Sequence, residues 1–464
     1  MTWTVDDDGP ADFHAIQEAI NNATSGDTIF VHKGTYKEDI VVNKSLLIIG
    51  EDRDLTIIGG HRAEHVISIK ADSVTVRDFT VNKSSVIPYS TGILLVSRGT
   101  IIDHNKITNI YYGLVISSSN NVISDNVISN TSYGISIFSG NNVFSSNVIS
   151  NNYEGVDVYF SSNNVFSSNV ISNNSNGVGI TLSSNNIFYH NDFYDAVQVS
   201  SESVNVWTYS GEGNYWINHT GRDLNFDGIG EEPYLIDANN QDQHPLMGMF
   251  SDFNVVSKSA KHYINVICNS TISDFKFEIG EETGNEIIRF NVTGEDGTVG
   301  FCRIMIPTNL MNSPFTVLDN DGEIIPTLLS VSNATNAYLY FTYNQSSKTI
   351  TIISSKMLQL YSEIIDRYLK LQKDLYDVNA TYYGLLSNYT AILSNHGLLQ
   401  QGYLALNSSH YEHLLAFSEN TQNVQKLTQI FAATTAIFLI TTIYLSKYAH
   451  ASAKTKTKAS EEEK

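Results

Sequence analysis

The chain reads as a mainly β protein: a β-solenoid, then a β-sandwich, a helical coiled-coil-like stalk and one transmembrane helix. Three observations carry that reading. Asparagine-rich segments such as NNVISDNVISN (residues 120–130) and NNVFSSNVISNN (residues 141–152) recur, with turn asparagines at Asn105, Asn126, Asn147, Asn169 and Asn191. Their steps of 21 or 22 residues leave room for about three strands and their turns, which is one coil of a solenoid. After Met247 short alternating runs replace the repeats, and from Met357 a seven-residue rhythm leads to twenty uncharged residues, 427–446.

In chain order, residues 11–20 place Phe13, Ile16 and Ile20 at helical spacing, which predicts a short helix capping the open solenoid end. Residues 27–31, 34–36 and 45–50 are strand-like. Glycines at 92, 113, 134, 155 and 177 then keep the period, each followed by a short alternating strand. Alternation sends Leu114, Ile135, Val156 and Val178, with Ile116, Ile137, Val158 and Ile180, to one internal face. Ile123, Phe144, Phe166 and Phe188 form a second ladder, and Ile128, Ile149, Ile171 and Phe193 a third. Asparagine suits the turns because it tolerates left-handed backbone and its amide bonds the same amide one coil away. These asparagines are structural, not a catalytic array.

The opening VDDDGPADFHAIQEAI, with GDTIFVHKGTY and LLIIGED, resembles the start of pectin-lyase-like right-handed β-helix proteins. Together with the repeats, it is similar to the NosD-type family and to its relatives among archaeal surface proteins, from about Thr2 to Met247. The resemblance implies a right-handed parallel β-helix over residues 1–250; it is specific for fold and says little about activity.

Residues 251–355 carry runs at sandwich spacing, including 287–292, 300–306, 337–341 and 349–353, separated by turns such as Asp319-Asn320-Asp321-Gly322. Residues 356–426 follow a heptad seam of Met357, Ile364, Leu371, Val378, Leu385, Ile392, Leu399 and Leu406, faced by Tyr361, Tyr368, Leu375, Tyr382, Tyr389, His396 and Tyr403. Ile365, Leu386 and Leu393 widen the seam, so a coiled-coil stalk (with homo-oligomers through it) and a folded-back hairpin both remain open. Residues 427–446 are long enough to cross a bilayer. Lys447, Lys454, Lys456 and Lys458 in the tail 447–464 place that tail in the cytoplasm and the large N-terminal part outside. That orientation expects a signal peptide ahead of Thr2, lost or already cleaved.

Acids outnumber bases 48 to 27, which argues against nucleic acid or anionic lipid as the main partner. Polar surface comes instead from Asn, Ser, Thr and Tyr, suited to contact with sugars or to glycan decoration. Thirteen Asn-x-Ser/Thr sequons occur, several outside the repeats, among them Asn269, Asn291, Asn379 and Asn388. Cys268 and Cys302 fit either an extracellular disulfide or two buried thiols.

Chemistry has few places to sit. Asp223, Asn225 and Asp227, with Ile229 and Glu231, match the start of a Ca²⁺ loop, although Tyr234 stands where an EF-hand has Glu; the alternative is an Asx-turn-rich cap over the last coil. On the coil exterior Phe138, Asp157 and Tyr159 project beside Ser117, Ser136 and Thr181, a mix suited to carbohydrate. Glycosidase chemistry needs two carboxylates on that face, for which Asp157 with Glu154 or Asp125 are the candidates. Copper, which the NosD resemblance implies, wants clustered His, Met or Cys, and His61 with His65 is no such cluster. The sequence thus predicts a membrane-anchored surface protein whose solenoid binds carbohydrate or serves adhesion at the envelope. The alternatives are a polysaccharide lyase or hydrolase on the same face, and a copper-handling protein.

Overall fold

The computed structural model describes residues 1–83, 89–257, 259–281, 284–354, 356–394 and 400–445. The first half winds as a parallel β-solenoid. One side is a nine-stranded sheet running from Thr2–Val5 to Ile187–Tyr189, with every neighbouring pair parallel. The register follows the repeat, since Ile123, Phe144, Phe166 and Phe188 are successive partners. The phenylalanine rings stack face to face at 4.6 and 4.5 Å. The other two ladders are buried as the alternation predicts.

The turn asparagines are fully buried and bond from coil to coil. Asn147 Oδ1 accepts from Asn126 N and Nδ2, both at 3.0 Å, while its own N and Nδ2 donate to Asn169 Oδ1. The left-handed residue is the one before each ladder asparagine: His104, Asp125, Ser146, Ser168 and His190. A second amide ladder, Asn121–Asn142–Asn164–Asn186–Asn205, runs along another edge. A third, Asn152–Asn174, ends on Asp195. The first ladder ends at Asn214 on Asp242, whose carboxyl burial pushes up to about 6.

The capping helix α1 spans Ile16–Asn22, so Phe13 lies ahead of it in a bridge to Val5. Its first N–H groups, Ile16 and Gln17, donate to the Glu38 carboxylate, which replaces a local cap. At the far end Trp207 stacks on Phe188 and Trp216 on Phe193, so indoles close the ladders.

Residues 249–354 form two five-stranded antiparallel sheets around one core, the expected sandwich. Cys268 and Cys302 face each other across neighbouring strands as free buried thiols, with Sγ atoms 2.7 Å apart and the Tyr343 hydroxyl beside both. Helices α2 (Lys356–Ser394) and α3 (Gln400–Leu445) run antiparallel: Leu375 and Val378 share a groove with Phe417 and Val424, and Tyr382 stacks on His410 at 4.2 Å. The seven heptads therefore fold back rather than form one continuous rod. His396, with the rest of 395–399, lies outside the described residues. Among the described residues no helix is long and apolar enough to cross a membrane. Of the expected span, the backbone is helical to Leu445, while the side chains of 436–446, like the whole lysine-rich tail, lie outside them.

Candidate functional site

Because Ile135, Ile137, Val156 and Val158 point into the core, their alternating neighbours form an outward face. The register lines up Tyr112, Tyr133, Glu154 and Asn176 on successive coils, and Val115, Ser136, Asp157 and Gly179 beside them. Tyr112 and Tyr133 stack at 5.1 Å, Tyr111 packs against both, and Tyr89 extends the row. On the other flank Phe138 and Tyr159, 46 % and 39 % exposed, meet edge to face.

Between these aromatic flanks lie the two acids. The Glu154 carboxylate accepts from Asn176 Nδ2 at 2.6 Å and leans over Gly179, where an added Cβ would stand 2.6 Å from its Oε1. Burial, reinforced by the Asp157 charge, pushes Glu154 up to about 7. Burial alone raises Asp157. Ser136, expected at the surface, is only 1 % exposed, and among the described residues neither its Oγ nor the buried Oδ1 of Asn176 has a hydrogen-bond partner. Unpaired buried polar atoms are costly, so they mark where a ligand has something to bond.

Asp125 does not join this pair. It sits in a left-handed turn facing the sandwich and lines a cleft of about 500 Å³ with Ser167, Tyr189, Asp252, Tyr263 and Asn265. Burial and the Asp103 charge raise Asp125, while Asp252 is pushed up to about 6 by burial. His190, which also lines the cleft, bonds Glu212 at 2.6 Å, and Glu212 joins the two domains by pairing with the 3 % exposed Arg303. Burial opposes ionisation of Glu212, yet His190 and Arg303 hold its carboxyl down at about 2.

The Asp223 loop is knitted to itself. Asp223 accepts from Asp227 N and Gly228 N, Asp227 from Ile229 N, and Glu231 from Leu224 N. Among the described residues the one triad of His, Cys or carboxylate ligand atoms within 4.8 Å is Asp6, Asp7 and Asp8, while Asp223 Oδ1 and Asn225 Oδ1 both accept from Asp227 N. The loop docks on the sandwich, with Arg303 Nε donating to Asp227 O at 2.9 Å and Phe226 against Tyr340.

Sequence reasoning overlooked Tyr112, Tyr133 and Asn176. The signal was present: with Glu154 they are the residues immediately before four of the periodic glycines.

Residues 20–221 match the family model "NosD: Periplasmic copper-binding protein (NosD)". The solenoid is a NosD-type right-handed parallel β-helix. Copper does not fit this NosD-type coil: among the described residues no His, Cys or carboxylate triad other than the three N-terminal aspartates converges, and both cysteines lie in the sandwich. No curated protein matches the chain. Solved structures similar to it include a pectin methylesterase from carrot, 13 % identical with a TM-score of 0.30, over 44 % of this chain and 82 % of that one. Pectin methylesterase PemA from Erwinia chrysanthemi is 12 % identical with a TM-score of 0.35, over 46 % and 92 %. Pectate lyase Pel9A is 13 % identical with a TM-score of 0.36, over 46 % and 74 %.

Proposed function

We propose that the protein is a surface β-helix protein that binds carbohydrate on the face formed by Tyr112, Tyr133, Glu154, Asp157, Phe138 and Tyr159. The observation that carries this reading is the pairing of aromatic flanks with buried, unpartnered polar atoms. Tyrosine faces stack on the apolar side of a sugar ring, while Ser136 Oγ, Asn176 Oδ1 and the acids bond its hydroxyls. Titration calorimetry against a glycan panel tests it: Tyr133→Ala should weaken binding at least tenfold without loss of fold, and a panel without any ligand overturns the reading. A second reading, hydrolysis, is favoured by Glu154, which holds a proton near neutral pH beside an ionisable Asp157. New reducing ends, abolished in Glu154→Gln, would support it.

The surface role needs an anchor, for which 427–446 is the segment, with the tail inside and the domains outside. Carbonate extraction of membranes should leave the full chain in the pellet and release a chain cut before Leu427. Recovery of the full chain in the supernatant sinks the anchor.

A further inference from the structure

Among the described residues the acid pair on the coil face has no counter-ion. No lysine or arginine occurs from residue 107 to residue 221, about five coils, while Asp125, Glu154, Asp157, Asp192, Asp195, Glu202 and Glu212 lie in that stretch. The groups facing Glu154 from each packed strand are all neutral or acidic: Asp157 on its own strand, Tyr133 and Tyr112 on the preceding coils, Asn176 on the next, with Tyr111 and Tyr153 beside them. Gly179 leaves the space into which the Glu154 carboxylate leans. The floor adds two buried polar atoms without a hydrogen-bond partner among the described residues, Ser136 Oγ and Asn176 Oδ1. Sites for polyanionic sugars need cations to neutralise each carboxylate; this face offers the opposite charge, in the same place as ring faces that attract cations.

We propose that the ligand of this face is a glycan bearing free amino groups, whose ammonium sits between Glu154 and Asp157 and bonds Ser136 and Asn176. This rests on the carbohydrate reading and narrows it: uronic-acid polymers are excluded, and N-acetylated or neutral sugars bind more weakly. An ammonium there stabilises the ionised form of Glu154, so binding releases its proton. Affinity should therefore rise from pH 4.5 towards pH 6, below the range in which a glucosamine amine loses its own charge.

The test is calorimetry on the unmodified protein with four oligosaccharides of equal length: glucosamine, N-acetylglucosamine, glucose and galacturonic acid, each in the presence of chelator. The glucosamine oligomer should bind at least tenfold more tightly than the others, with proton release near pH 6, where its amines are already charged, and weakening in salt. Asp157→Asn, checked for an unchanged melting temperature, should remove that preference. Equal binding of the glucosamine and N-acetylglucosamine oligomers leaves carbohydrate binding intact and overturns the amine. Tight binding of the galacturonate oligomer overturns it as well. If galacturonate binds only once Ca²⁺ replaces the chelator, the acids hold a metal and the amine is again overturned. Binding of none of the four removes both readings together.

Discussion

Asn147 shows why one residue type dominates the coil. Its amide is fully buried, accepts two hydrogen bonds from Asn126, and donates to Asn169 and to the Ile123 carbonyl. Leucine fills the space and satisfies none of these groups. Asn147→Leu should cost about 2 kcal/mol, read from the urea midpoint, since each stranded buried group costs about 1–3 kcal/mol. An unchanged midpoint would falsify the ladder as a source of stability. This residue was legible because its role repeats every coil. The site residues were less so, because function breaks the repeat: in one column Tyr112 and Tyr133 give way to Glu154 and then Asn176. What the sequence hid at Ser136 was burial, since alternation tells which way a side chain points, not what covers it.

At the scale of elements, legibility follows the range of the contacts. Solenoid strands and sandwich runs follow period two and appear where the pattern put them. Helix α1 starts later than its apolar spacing suggested, because the cap comes from Glu38, 22 residues away from Ile16, rather than from a neighbouring side chain. The fold-back of α2 on α3 was one of two outcomes the seam allowed; the heptads fix which faces are apolar, not whether the partner helix is the same chain. Least legible was the docking of the sandwich. Glu212 and Arg303 are 91 residues apart and belong to no repeat, so nothing local announces that they meet. The same holds for Asp125 and Asp252, which only that docking brings to one cleft.

The molecule as a whole carries a surplus of acids, and their burial sets its pH response. Glu154 at about 7, and Asp242 and Asp252 at about 6, lie above their ordinary values, and burial raises Asp125, Asp157 and Asp195 in the same direction. A carboxyl whose folded pKa exceeds its unfolded value binds more protons in the native state between those two values. Its contribution to stability is therefore greatest below the unfolded pKa and falls as pH rises through the folded one. Glu212, held down at about 2, acts oppositely: its contribution is complete above the ordinary glutamate value near 4.5 and is lost as pH drops towards 2. The two sets together place the optimum at about pH 4.5, where Glu212 contributes nearly in full and the raised carboxyls have lost least. That pH also brings the net charge, −21 at pH 7, towards zero and relieves self-repulsion. The melting temperature should accordingly be higher at pH 5 than at pH 8, with part of the difference lost in Glu154→Gln, which carries no charge at either pH. A melting temperature that climbs steadily from pH 5 to pH 8 would mean that these carboxyls are paired or solvated in the folded protein, and the acid pair on the coil face would lose its unmet demand for a cation.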